Sequence, residues 1–288
     1  MMRKKLVLFL SIISFSCSSG GDDPSPIPIV EPQVIAPVEG CKGGRIENAS
    51  PNGDRTTLVW AEEFNEDGAP CVKNWNHETI PPNNGSWWNE EVQYYTDRRE
   101  NSIVEDGVLK IIARKENYIS KEYTSARMTT QRLFEFRYGK VEIKAKLPEG
   151  QGTWPALWFL GANIDTVGWP TCGEIDLMEH GDGEPGLVSS TVHRANADGN
   201  NYYRRGEQVI ENESSKFHIY EMIWTNSSIQ FFVDEVMHHS VSYDPNTPFD
   251  KYFFIILNVA MGGTFTGNNI DPNFTSSALE VDYIRVYQ

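Results

Sequence analysis

From Thr57 onward, polar and apolar residues alternate with a period of two rather than 3.6. Val141, Ile143, Ala145 and Leu147 alternate with Lys140, Glu142, Lys144 and Lys146, which predicts a strand with one buried and one wet face. Leu279, Val281 and Tyr283 repeat the pattern against Glu280 and Asp282. Further β-rich runs cover 108–113, 156–160, 188–193, 217–224, 229–233 and 253–259. Turn signals lie between them at Asp106-Gly107, Glu149-Gly150, Asp198-Gly199 and Gly262-Gly263. No amphipathic helical stretch of 12 residues and no internal repeat stands out. The pattern predicts an all-β protein, a sandwich of two antiparallel sheets, as a single domain over 41–288.

The first residues break this pattern. Three cations within Met1–Lys5 precede the apolar run LVLFLSIISFS, which is shorter than the roughly 20 residues of a membrane-spanning helix. The segment 1–17 therefore reads as an export signal. Its end, Ser16-Cys17, resembles the lipobox of bacterial lipoproteins, although Ile13 and Phe15 depart from it. That resemblance implies a lipid anchor on Cys17 as the chain's link to a membrane, and an outer-membrane or cell-surface location. An ordinary secretion signal is the alternative. The stretch 18–40, with prolines at 24, 26, 28, 32 and 37, reads as an extended tether.

Composition narrows the partners. The formal net charge is −15, and −18 without the leader that carries Arg3, Lys4 and Lys5. Such a surface repels phosphate backbones, so nucleic acid is excluded as the expected partner; the chain is expected to be a monomer. Of the four cysteines, Cys41 and Cys71 flank the entrance of the domain and form the preferred pair in an oxidising compartment. Cys172 is then a free, buried thiol.

One strand carries the chemistry. In Gly173-Glu-Ile-Asp-Leu-Met-Glu179, regular alternation puts Glu174, Asp176 and Met178 on one face and Glu179 on the other. A β-bulge around Leu177–Met178 would return Glu179 to the face of Glu174 and Asp176. Three crowded acids repel, so at least one holds its proton while another stays ionised, the division of labour that glycosidic cleavage requires. Acids in strands more often form a wet face, but Ile175, Leu177 and Met178 mark this strand as buried. Trp154, Trp158, Phe159 and Trp169 surround it with rings of the kind that stack on sugars. Trp60 and Trp224 sit inside apolar runs and read as core.

This segment resembles the E-x-D-x-x-E signature of glycoside hydrolase family 16, in its laminarinase-like branch. The resemblance continues in order through Leu58-Val-Trp-Ala-Glu-Glu-Phe64, Asn89-Glu-Glu-Val-Gln-Tyr-Tyr-Thr96, Tyr123-Thr-Ser-Ala-Arg127, Tyr138-Gly-Lys-Val-Glu142, Gly152-Thr-Trp-Pro-Ala-Leu-Trp158, Leu257-Asn-Val-Ala-Met-Gly-Gly263 and Val281-Asp-Tyr-Ile-Arg-Val-Tyr287. It implies a jelly-roll β-sandwich with a concave cleft and a retaining endo-glycosidase that cuts β-1,3 linkages of laminarin or mixed-linkage glucan. Glu174 would be the nucleophile, Glu179 the acid/base, and Asp176 the residue that holds and tunes Glu174. Asn89, Arg127, Trp154, Trp158, Trp169 and His193 match substrate-binding positions. No catalytic cofactor is implied, but a structural Ca²⁺ is, held by Glu63, the Gly107 carbonyl and Asp282, oxygen ligands that suit this ion.

Two departures bear on linkage preference. Arg194 stands where many relatives carry Trp after the histidine, and Thr264-Phe-Thr-Gly-Asn-Asn269 replaces a Trp-Pro-Gly loop. Arg194, Arg204 and Arg205 could serve a sulfated red-algal galactan, which keeps agarase- or porphyranase-like activity as an alternative. A non-catalytic surface glycan binder is the other rival, and three buried carboxylates argue against it. There is no G-x-S-x-G elbow, and the adjacent His238-His239 on an expected edge strand lacks metal-site spacing.

Overall fold

The computed structural model describes residues 55–181, 185–244 and 247–288. The leader, the tether, Cys17 and Cys41 lie outside them. The strands in chain order begin with β1 (Leu58–Glu62), β2 (Asn76–His77), β3 (Gln93–Tyr95), β4 (Ser102–Glu105), β5 (Val108–Tyr118) and β6 (Lys121–Ser125). Then come β7 (Arg127–Thr129), β8 (Gly139–Lys146), β9 (Thr153–Gly161), β10 (Glu174–His180), β11 (Leu187–Ala195) and β12 (Asn201–Val209). The chain closes with β13 (His218–Trp224), β14 (Ser228–Val233), β15 (Val236–Ser242), β16 (Phe253–Met261) and β17 (Ser276–Tyr287). A single helical turn, α1 (Ile164–Val167), precedes β10.

The strands form two sheets. One runs β15-β14-β13-β8-β17-β5-β6-β3, with β1 also on β17 and β4 on β5; the other runs β12-β11-β10-β9-β16-β7-β2. Pairing is antiparallel except for β3 with β6, which run parallel. This is the all-β sandwich that the alternation predicts, and the jelly roll that the resemblance implies, with that one exception to the antiparallel rule. The β4–β5 hairpin turns on Asp106 and Gly107, both at positive φ (54° and 76°), the geometry that an Asp-Gly pair supplies in two-residue hairpins.

The core fills the space between the sheets. Leu109, Ile111, Val141, Ile143, Val281 and Ile284 come from one side, and Leu157, Phe159, Ile175, Leu177, Ile255 and Leu257 from the other. Burying each such side chain contributes about 1.5–3 kcal/mol. Trp60 lies in this core, stacked on Phe134 at 4.5 Å, and Trp224 is buried with it. Cys172 is a free thiol with no exposed surface, and burial pushes it up to about 12, whereas Cys71 is disulfide-bonded to a partner outside the described residues. The other face of the seven-stranded sheet carries the candidate site.

Candidate active site

β10 is irregular at the position where the sequence calls for an extra residue. Against β9, Asp176 pairs with Trp158 and Met178 with Leu157; against β11, Asp176 pairs with Thr191 and Glu179 with Ser189. Leu177 has no partner residue in either ladder. Both Leu177 and Met178 are therefore turned into the core, at 1% and 0% exposure, and alternation resumes with Glu179 on the face of Glu174 and Asp176. Without the insertion, Met178 would occupy the cleft and Glu179 the core.

Each acid has a distinct partner. Trp169 Nε1 donates to Glu174 Oε2 at 3.0 Å, and Trp154 Nε1 donates to Glu179 Oε1 at 3.1 Å. His193 sits opposite Glu174 in the β10–β11 ladder, with Nε2 3.3 Å from Asp176 Oδ2 and 3.8 Å from Glu174 Oε1. Burial, and next the charge of Asp176, push Glu174 up to about 8; His193 and the Trp169 N–H pull the other way. Burial and then Glu179 hold Asp176 well above the usual carboxylate range. Asp176 is almost sealed and Glu174 keeps some exposure, so the first proton belongs on Asp176. Its neutralisation removes the main charge acting against Glu174, which is then the acid left ionised.

The remaining expected residues line the same face. Trp158 Nε1 donates to Asn258 Oδ1 at 2.8 Å, and the Arg127 guanidinium lies 4.7 Å from the Trp158 ring. Arg127 is fixed from behind by Glu78, to which its Nε donates. Trp169 is half exposed, and Asn89 sits at the rim in a left-handed conformation (φ 59°), its carbonyl accepting from Thr264 N at 2.8 Å. Gly263 must be glycine here: a Cβ would stand 2.9 Å from that carbonyl and 3.0 Å from the Trp154 ring.

Three residues of the face, Phe265, Tyr203 and Asn258, escaped the reading of the sequence, and Arg205 was offered there only for a sulfated substrate. Phe265 stacks on Trp154, Arg205 lies 5.1 Å from the Phe265 ring, and Tyr203 sits 5.7 Å from the His193 ring. Asn258 orients Trp158 and also donates to Tyr95 OH at 3.1 Å, within a buried network that continues to Glu91. Its signal was legible as the lone polar residue in the apolar run FFIILNVAM.

The three arginines divide. By strand alternation Arg205 shares the cleft face with Thr191, whereas Arg194 and Arg204 belong to the face of Val192, where both guanidiniums stack on Tyr202. Arg205 is itself paired with Glu207 at 3.0 Å.

Glu174, Asp176 and His193 offer ligand atoms within 4.8 Å of one another and could hold a metal ion, but they are the same groups that the acid chemistry uses. Of the expected calcium ligands, Glu63 holds Arg285 through both oxygens, at 2.7 and 2.9 Å, and Asp282 pairs with Lys144 at 2.6 Å. An ion there would have to displace both cations.

Residues 89–285 match the profile of Glycosyl hydrolases family 16. A beta-glucanase of Rhodothermus marinus is 39% identical over 246 residues, covering 80% of this chain and 85% of that protein. A glucan endo-1,3-beta-glucosidase of Cryptopygus antarcticus is 36% identical, over 79% of this chain and 90% of its own. The crystal structure of LamA from Zobellia galactanivorans in complex with laminaritriose and laminaritetraose superposes with a TM-score of 0.77 at 41% identity, covering 81% of this chain and 99% of that one.

Proposed function

The chain belongs to glycosyl hydrolases family 16, and from that membership we propose that it is a retaining endo-glycosidase cutting internal β-1,3 linkages of β-glucan. The single observation that carries the reading is the bulge at Leu177, which brings a third carboxyl to the face of the other two. In the first step the Glu174 carboxylate attacks the anomeric carbon, and Glu179 gives its proton to the departing glycosidic oxygen. In the second, Glu179, now ionised, takes a proton from water, whose oxygen displaces Glu174 and restores the β configuration. Asp176 keeps its proton and so relieves Glu174 of a neighbouring charge. Family chemistry needs no catalytic cofactor. Trp158, under the Arg127 guanidinium, and Trp169 supply ring faces for the sugars.

A sulfated galactan fits less well. Two of the three arginines offered for it lie on the other face, and the third is neutralised by Glu207. A panel of laminarin, lichenan, curdlan, agarose and porphyran, with products sized, tests the assignment. Fastest release of short oligosaccharides from laminarin is expected; preference for agarose or porphyran would overturn it. Proton NMR should show the β anomer first.

Three narrower readings belong to this proposal. The leader and its Ser16-Cys17 end support export and a lipid anchor on Cys17; labelling with a radioactive fatty acid, lost in Cys17→Ala, tests it. A monomer is proposed from the strong net negative charge, and sedimentation would reveal a dimer. A structural calcium ion is supported by the register of β17, whose Val281 pairs with Leu109 and Ile284 with Glu62, bringing Gly107, Glu63 and Asp282 to one region. Melting temperatures equal in Ca²⁺ and EDTA would dismiss it.

A further inference from the structure

The extra residue in β10 leaves a carbonyl that the ladder does not assign, and a side chain takes it. Ser190 Oγ donates to Leu177 O at 2.6 Å. Ser190 is buried, in β11, the second strand from the edge of its sheet. Its oxygen has a second neighbour, His238 Nε2, at 2.9 Å. The hydroxyl has only one hydrogen, already given to Leu177, so it accepts from His238, which must carry its proton on Nε2. His238 Nδ1 is buried and without a hydrogen-bond partner, which suits a bare ring nitrogen better than an N–H. Burial, with the neighbouring His239, lowers His238 to about 4, so the ring is neutral across the range in which such an enzyme works.

His238 reaches this point because β15 carries its own bulge. Phe231 pairs with His239 and Phe232 with Met237, leaving His238 as the extra residue. The edge strand of one sheet thereby sends a ring onto the edge of the other. The close approach depends on Gly206, which pairs with Ser190: a Cβ at 206 would lie 2.4 Å from the His239 ring. His239 itself approaches Arg204 O at 3.3 Å.

We propose that Ser190 and His238 are positioning residues for the acid/base carboxyl, fixing the bulge that aims Glu179 through the relay from His238 Nε2–H to Ser190 Oγ–H to the Leu177 carbonyl. Neither touches the substrate. A bulge held at its carbonyl sets the direction of the strand two residues later, at Glu179, whereas Glu174 lies before the distortion in regular pairing with both neighbours. The inference rests on the assignment of Glu179 as acid/base.

The test separates aim from folding. Loss of Glu179's aim should matter for leaving groups that need a proton and little for one that leaves unaided. Ser190→Ala should lower kcat/KM for laminarihexaose by about tenfold, a part of the 10²–10⁴ that a general acid supplies, and that for a 2,4-dinitrophenyl β-laminaribioside by less than about twofold. His238→Leu should behave in the same way, and His238→Gln, which keeps an N–H donor on an edge strand, should restore most of the activity. Glu179→Ala, run beside them, should show the larger version of the same leaving-group dependence. Equal losses on both substrates in the Ser190 and His238 variants would overturn the inference while Glu179→Ala still discriminates. If Glu179→Ala also fails to discriminate, the acid/base assignment itself falls.

Discussion

The Trp154 and Phe265 rings lie face to face, centroids 4.9 Å apart and planes 11° from parallel, and Trp154 uses its other function, the N–H, on Glu179. A loop residue thus braces the ring that holds the acid/base carboxyl. The loop departs from the Trp-Pro-Gly pattern at this point, yet Phe265 restores an aromatic against the cleft.

Phe265→Ala removes a stacked pair that contributes roughly 0.5–1.5 kcal/mol, equivalent to a loss of about 2- to 10-fold in kcat/KM on laminarin. Trp154→Phe keeps a ring for stacking but deletes the donor to Glu179, so its loss should appear in kcat with little change in KM. Steady-state kinetics on the two variants checks this; matching profiles would show that stacking and hydrogen bonding at Trp154 are not separable.

Glu174→Gln is expected to abolish release of reducing ends while binding of laminaritetraose by calorimetry survives. It should also alter stability with a definite sign. Burial and mutual repulsion raise the Glu174–Asp176 pair, Glu174 up to about 8, so the folded pair keeps a proton, lodged on Asp176, that the unfolded chain gives up. Wild-type stability therefore falls as pH rises from about 4.5 through about 8. The amide removes the charge that burial and Asp176 oppose at position 174. Thermal melts should show the variant gaining on wild type as pH rises across that window and losing the advantage near pH 4. A constant difference at all pH values would refute the buried-proton account.

Asp176→Asn fixes the middle position in its neutral form. Deprotonation of Asp176 at high pH would return a negative charge beside Glu174, so it is expected to contribute to the alkaline limb of the wild-type profile. In the variant that limb should move to higher pH, with turnover lowered because the amide cannot adjust its proton. An alkaline limb unmoved in the kcat/KM profile would show that Asp176 is not coupled to Glu174.

Much of this was legible in the chain itself, for reasons that can be named. The acids of β10 announce themselves because polar residues in an apolar run need a purpose, and their spacing fits a face only if a residue is inserted. β12 was not legible, and β15 was legible only as an expected edge strand at His238-His239. NYYRRGEQV and VMHHSVS are edge strands with much exposed surface, so no alternation of burial marks them, and each pairs in its ladder with the strand just before it. The same applies to His238. Its role depends on β15 meeting β12 across the two sheets, and no local pattern encodes that meeting. Arg127 and Trp158 were assigned to sugar binding by resemblance, but their mutual stacking, and the Glu78 that holds Arg127, are visible only in three dimensions.

Asn258 offers the sharpest test of how the cleft floor is held. It is buried in β16, accepts from Trp158 Nε1 and donates to Tyr95 OH, which in turn donates to Glu91 at 3.1 Å. Asn258→Leu nearly preserves volume and removes both contacts. It leaves the Trp158 N–H without its partner, and a buried donor left unpaired costs about 1–3 kcal/mol. Extra apolar contact from leucine offsets only part of that, because the neighbouring floor positions are already closely packed. Urea unfolding should show a lower midpoint at an unchanged slope. Trp158, no longer pinned beneath the Arg127 guanidinium, should bind glucan less tightly and raise KM for laminarin more than it lowers kcat. A variant as stable as wild type with unchanged KM would mean that Trp158 is held by its ring contacts alone and that the Asn258 bond is incidental.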